Sequence, residues 1–238
     1  MRSSAKTPFS GLRLAFHRLF GLRTTTLDGL TLLCDTKLVP RNVSTAIIKG
    51  SYELPERQLV RATISNGDRV VEVGSGVGVV GLLCNKLAGA GNVLSFEANS
   101  TLASIIAANY ALNNITPRIR LRAVTIDGAP ISFYRNSNII SSSVFDRGLE
   151  AENVTVESEA LDQVLNEERA DVLVMDVEGA EIDLLTTVDL SGVREIIVEL
   201  HPKIVGVGPT KAMIDSIIDR GFIENGRIQD NIRLSRKP

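Results

Sequence analysis

The stretch VVEVGSGVGVVGLL, residues 70 to 83, constrains this chain more than any other. An apolar, β-branched run breaks into glycines and resumes as an apolar run of helical length. The pattern predicts a buried strand, a tight turn and a buried helix. Glycines at such a turn let a ligand approach the backbone and expose N–H groups at the helix N-terminus. Glu72 lies inside the strand, where an acid is costly unless the fold supplies partners.

Strands and helices alternate around this point. Upstream, TTTLDGLTLLCD alternates about Asp28-Gly29, a favoured two-residue turn, and predicts a hairpin. A helical pattern runs from Glu53 to about Ser65, and a strand from Arg69 to Val73. A helix then covers Val77 to Leu87, a strand Val93 to Glu97, a helix Leu102 to Leu112 and a strand Arg118 to Val124. Residues 128 to 157 break the rhythm with a Ser- and Asn-rich hairpin and loop. Alternation resumes with strand Val172 to Asp176, helix Glu181 to Val188, strand Glu195 to Leu200 and helix Lys211 to Arg220. Phe222 to Glu224 and Ile232 to Leu234 close the chain as a hairpin. The fold class is α/β: one doubly wound, mostly parallel domain over residues 51–238, with a β-hairpin insertion at about 128–157 and an N-terminal helix and hairpin extension over 1–50.

A length of 238 residues suits one well-buried domain of this kind. The net charge of −2 offers no global attraction for nucleic acid, which is set aside as a partner on that ground. Cys34 and Cys84 lie in apolar settings and read as reduced core thiols of a cytoplasmic protein. Residues 1–23 carry five basic residues and no acid. In GLRLAFHRLFGLR, Leu12, Phe16, Leu19 and Phe20 share one helical face, which allows membrane-surface contact. The favoured reading is a short helix packed on the domain with its basic side in solvent.

The glycine loop can be read in two registers. Gly76-Val77-Gly78-Val79-Val80-Gly81 fits the dinucleotide pattern G-x-G-x-x-G, which would imply an NAD-dependent oxidoreductase. Glu72-Val73-Gly74-Ser75-Gly76-Val77-Gly78 instead resembles the acid-x-G-x-G-x-G loop that class I methyltransferases wrap around S-adenosylmethionine. The second register ends the strand at Val73, uses Gly74 for the turn and accounts for Glu72. Glu97, closing the next strand, can accept both hydroxyls of a ribose and fits either cofactor.

Downstream, MDVEGAEIDLL (Met175 to Leu185) resembles the D-V-E-G-A-E segment of the FkbM family of S-adenosylmethionine-dependent methyltransferases. GSYELPE, FEANS, NYALNN, EALDQVL and IIVELHP follow the family's order, so the resemblance spans about residues 48 to 202. The family's glycine loop more often reads D-x-G-A-N-x-G, and here Glu72, Ser75 and Gly76 take the variable places. The resemblance implies a seven-stranded Rossmann-like sheet, S-adenosylmethionine as cofactor, and methyl transfer to a hydroxyl on a sugar or other small specialised metabolite. It implies a cofactor loop of Glu72, Gly74, Ser75, Gly76 and Gly78. Glu97 should hold the ribose, Ala98, Asn99, Ala123 and Val124 the adenosine side, and Tyr52 and Glu53 the methionine end.

Open α/β sheets bind ligands at the carboxyl ends of their strands, where Asp176, Glu178, Glu199 and His201 arrive. An alcohol acceptor needs a base, and His201 or Asp176 can serve. Asp176, Glu178 and Glu199 could instead gather a hard cation such as Mg²⁺. Glu181 reads as an acid charging a helix N-terminus. Asn136, Asn138 and Ser141 to Ser143 of the insertion either contact the acceptor or form an ordinary polar loop. Two other readings stand beside this one: RNA methylation, disfavoured by charge and few aromatics, and a catalytically silent cofactor-binding domain.

Overall fold

The computed structural model describes residues 10–136 and 151–237. Helix α1 (Ser10–Leu19) leads into a hairpin of β1 (Thr24–Leu27) and β2 (Leu30–Leu33). Asp28 and Gly29 both take positive φ, the geometry of a turn that matches strand twist. Helices α2 (Arg41–Lys49) and α3 (Leu54–Thr63) precede β3 (Val70–Val73), which the glycine loop joins to α4 (Val79–Ala88). Next come β4 (Val93–Phe96), α5 (Ala103–Ala111), β5 (Ile119–Arg120) and β6 (Ala123–Thr125). The insertion contributes an antiparallel pair, β7 (Ile131–Asn136) and β8 (Ala151–Val156). Then follow β9 (Ser158–Ala160), α6 (Leu161–Glu168), β10 (Val172–Met175), α7 (Glu181–Thr187) and β11 (Glu195–Glu199). Helices α8 (Pro202–Val205) and α9 (Val207–Asp219) lead to a closing hairpin, β12 (Phe222–Ile228) and β13 (Asn231–Arg236).

The fold is mixed α/β around a central seven-stranded sheet in the order β12-β13-β11-β10-β3-β4-β5. Strands β11, β10, β3, β4 and β5 run parallel, and β13 is antiparallel to β11. The central strands are buried along their whole length, as parallel strands covered on both faces must be. Val70, Val172, Val174 and Ile197 enter one apolar cluster, and Val71, Val73, Leu173 and Met175 another. The chain leaves β3 toward β4 on one side and meets β10 on the other, so the sheet reverses its winding beside the glycine loop.

Two local expectations are corrected. The strand read from Arg118 to Val124 divides, because β6 leaves the sheet to pair with β9. Helix α1 packs the opposite way round from the expected reading. Arg13 donates to the Thr25 hydroxyl (2.7 Å) and the Thr26 carbonyl, and His17 is buried near Cys34. These polar partners on the first hairpin turn the helix, leaving Leu12, Phe16, Leu19 and Phe20 each more than half exposed. No helix among the described residues is long and apolar enough to cross a membrane.

Candidate active site

The glycine loop is shaped by steric necessity. Gly74 has φ +94°, and a Cβ there would overlap the Asp176 carbonyl oxygen where β3 and β10 diverge. Gly76 (φ +54°) lies under the Tyr52 hydroxyl, 3.1 Å from where a Cβ would stand. Gly74 and Ser75 both donate their N–H to the Phe96 carbonyl (3.0 Å), tying the loop to the end of β4. Glu97 completes the tie. Its Oε2 accepts from the Gly76 N–H and its Oε1 from the Asn99 N–H, each at 2.7 Å.

A cleft opens at these strand ends. One end has apolar walls: Phe96, Leu102, Ala123, Val124 and Ile131, with Ala98 and Asn99 beside them. The other end is acidic, with Tyr52, Glu53, Glu56, Asp176 and Glu178. Gly74, Ser75, Gly76 and Glu97 lie between. This suits a ligand with a flat apolar end, a hydroxylated middle and a cationic end.

Two residues expected to touch the cofactor lie elsewhere. The Glu72 carboxyl points below the loop, among Ser75, Ser95 and the backbone of Gly81, and burial pushes its pKa up to about 7. Gly78 caps α4 in the left-handed conformation, against Tyr110 and Ile106 of α5. Both support the loop and neither lines the cleft. Asn136 ends β7, while Asn138 and Ser141 to Ser143 lie outside the described residues.

The acidic end gathers groups from three places, the start of α3, the turn after β10 and the end of β11. Glu53 caps α3 with φ +45°, and Glu178 has φ +52°, a conformation that costs a long side chain energy and marks functional loops. Asp176 follows β10 directly, and its buried Oδ1 makes no hydrogen bond. His201 Nε2 lies 3.5 Å from both Asp176 Oδ1 and Glu178 Oε2. Glu199 closes β11 close behind Glu53 and Asp176. Neither Glu199 nor His201 lines the cleft itself.

Burial and mutual repulsion raise the carboxyl pKa values here. Burial and Glu199 lift Glu53 to about 7, and burial, Glu199 and Glu53 hold Asp176 well above the usual carboxylate range. Burial alone would lower the His201 pKa, but Glu181, Asp176 and Glu178 outweigh it and raise it to about 9.

Sequence reasoning missed three residues. Glu181 is fully buried, not a solvated helix-end acid. Its Oε2 accepts from the Gly179 N–H (2.7 Å), and its Oε1 accepts from the His201 N–H (3.0 Å) and faces the ring Nδ1 (3.3 Å). Its place as the last acid of D-V-E-G-A-E was the available signal. Glu56, whose place at the end of GSYELPE was the available signal, and Arg122, which no sequence pattern marks, also line the cleft.

Fold and site together place one cleft at the carboxyl ends of the central α/β strands, with the buried acid Glu97 at its middle and a cluster of acids at one end. The description "Methyltransferase FkbM domain" matches residues 72–224, and the chain belongs to that family of S-adenosylmethionine-dependent methyltransferases. No curated protein matches significantly. Solved structures share the fold at low identity. A ribosomal protein L11 methylase from Lactobacillus delbrueckii subsp. bulgaricus is 16% identical over 77% of each chain, TM-score 0.44. A Pyrococcus abyssi tRNA (uracil-54, C5)-methyltransferase in complex with S-adenosyl-L-homocysteine is 14% identical, over 90% of this chain and 42% of that one, TM-score 0.46. An rRNA methylase from Streptococcus thermophilus is 9% identical, over 76% and 94%, TM-score 0.41. Two of these enzymes are named for RNA, and the expectation that nucleic acid is excluded as a partner is withdrawn. Net charge reports on the whole surface and does not decide the acceptor at one cleft.

Proposed function

We propose that this protein methylates a hydroxyl oxygen, on a sugar or other small specialised metabolite, with Asp176 as the base. The observation that carries the reading is the Asp176 carboxylate. It lines the cleft, its buried Oδ1 makes no hydrogen bond, and burial together with its acidic neighbours raises its basicity above that of an ordinary carboxylate. A hydroxyl is a poor nucleophile until its proton leaves, and a more basic carboxylate is better suited to take it.

When bound, S-adenosylmethionine supplies an electrophilic methyl group. The residues present fit it: Glu97 for the ribose, Ala98, Asn99, Ala123 and Val124 for the adenine side, and Tyr52 and Glu53 over the methionine end. Most of the acceleration comes from alignment within a dry cleft. His201, with a pKa near 9, is imidazolium at neutral pH and has no lone pair to accept a proton. Its part is to orient Asp176 and to oppose the surrounding acids in favour of the ionised form, while Glu181 fixes the ring from behind.

The test is methyl transfer from labelled S-adenosylmethionine to a panel of hydroxylated small molecules, with amines and RNA alongside. A base-stable methyl ether on a small molecule supports the reading. Label on nitrogen or carbon, or on RNA alone, sinks it.

A further inference from the structure

We propose that Glu53, Asp176 and Glu199 bind a divalent hard cation at the acidic end of the cleft, with Glu56 behind them. One carboxylate oxygen from each of the three lies within 4.8 Å of the others. Ligand oxygens about 2.1 to 2.5 Å from a Mg²⁺, Mn²⁺ or Ca²⁺ ion stand roughly 3 to 5 Å apart, so little movement is needed. The three acids arrive from separate elements, the N-terminus of α3 and the ends of β10 and β11. The donor set is oxygen with no thiol, which favours a hard ion over zinc or copper.

Glu56 supplies the independent observation. Its side chain is buried at 4% exposure and lines the same cleft. Among the described residues it has neither a hydrogen bond nor an ion pair, and its electrostatic neighbours are Asp176, Glu53, Glu72 and Glu199, all acids. A carboxyl in such a place gives up its charge when it stands alone and keeps it beside a positive partner. Among the described residues no cation is paired with it. Arg57, which approaches Glu53, commits its donors to the Tyr52 and Gly50 carbonyls and to Asp28. His201 is shared among Asp176, Glu178 and Glu181. A divalent ion beside Asp176 would also lower the pKa of an acceptor hydroxyl bound to it. That last role rests on the O-methylation reading, but the site does not.

The other candidate occupant is the ammonium group at the amino-acid end of the cofactor, and the experiment separates the two. Mn²⁺ would be titrated into the full-length, metal-free protein, with free Mn²⁺ followed by electron paramagnetic resonance, with and without saturating S-adenosylhomocysteine. The expected result is one Mn²⁺ per chain, displaced by Mg²⁺ and retained with S-adenosylhomocysteine bound. Glu199→Gln and Glu53→Gln should each weaken it at least tenfold. These substitutions relieve repulsion between acids, so both variants fold, and their circular dichroism verifies this. No saturable Mn²⁺ binding would overturn the proposal, as would binding indifferent to Glu199→Gln. Expulsion of Mn²⁺ by S-adenosylhomocysteine would also overturn it and give the acids to the ammonium. Failure to bind S-adenosylhomocysteine would instead sink the methyltransferase reading and leave the Mn²⁺ titration to stand alone.

Discussion

Arg57, 1% exposed in α3, forms an ion pair with Asp28 at the tip of the first hairpin while its Nε donates to the Tyr52 carbonyl at 2.7 Å. One side chain thereby fastens the N-terminal hairpin to the corner that carries Tyr52 and Glu53 into the cleft. Removing one partner of a buried pair leaves the other charge and the carbonyls without partners, which typically costs 3–5 kcal/mol. Arg57→Ala should therefore destabilise the protein by about 3 kcal/mol or more in urea unfolding. It should also weaken S-adenosylhomocysteine binding, because the Tyr52–Glu53 corner loses its anchor. Wild-type affinity in a destabilised variant would break the link between hairpin and cleft.

Glu97 links the glycine loop to Asn99 as well as facing the cleft. Its replacement by alanine should lower affinity for S-adenosylhomocysteine at least tenfold in a calorimetric titration. Glu97→Gln keeps an acceptor for one N–H and should fall between. Unchanged affinity in both would remove the carboxylate from the cofactor site.

Gly74 tests the steric reading of the loop. Alanine there combines an unfavourable positive φ with overlap onto the Asp176 carbonyl, a backbone atom that cannot swing away. Gly74→Ala should destabilise by roughly 3 kcal/mol or more, within the range of severe point mutations. Denaturant unfolding measures this directly, and a loss under 1 kcal/mol would mean the strand ends part easily.

Glu72 makes the pH dependence of stability informative. Its pKa rises from 4.5 to about 7 on folding through burial, so the folded state holds the proton more tightly than the unfolded chain. Stability from this group is full below about pH 4.5 and is lost as pH rises through 7. Glu72→Gln should abolish that loss, gaining on the order of 3 kcal/mol at pH 8 and little at pH 4. His201 acts in a higher window. Its pKa rises from 6.5 to about 9, so its contribution is full below 6.5 and disappears as pH climbs through 9. Unfolding curves of Glu72→Gln and His201→Asn across this range should each lose one share of the pH dependence, with Glu53 and Glu97, also raised to about 7, keeping the rest of the lower window.

Asp176→Asn should leave S-adenosylhomocysteine binding near wild type and lower methyl transfer by about 10²–10⁴-fold, the usual worth of a general base. His201→Gln should cost less, since Asp176 remains. A larger loss in His201→Gln than in Asp176→Asn would exchange their roles.

The central sheet and the loop were legible because each rests on a local pattern. The strand VVEV needs no tertiary knowledge to read as buried, and Gly74 to Gly78 announce a turn. Asp176 was legible from its motif at a strand end. The rest depended on facts no local pattern holds. Glu56 reads as an ordinary acid in a first helical turn, and only the approach of α3 to β10 and β11 turns it toward the cleft. Glu181 looks identical to a dipole-balancing acid until the backbone of His201 arrives from the next strand. Glu72 looks like a cofactor-loop acid in sequence, but its side of the strand faces α4 and the carboxyl is buried beneath the loop, beside Gly81. For α1, helical periodicity defined the apolar face, but hydrogen bonds from Arg13 to β1 decided which face turns inward.

The span matched by the family description begins at Glu72, yet Tyr52, Glu53 and Glu56 come from the chain before it. One end of the cleft is therefore built in part by sequence outside the matched span, and the Arg57–Asp28 pair ties that end to the first hairpin. Grafting residues 41–64 of another family member onto this chain would change the acidic end of the cleft while leaving Glu97 and the glycine loop in place.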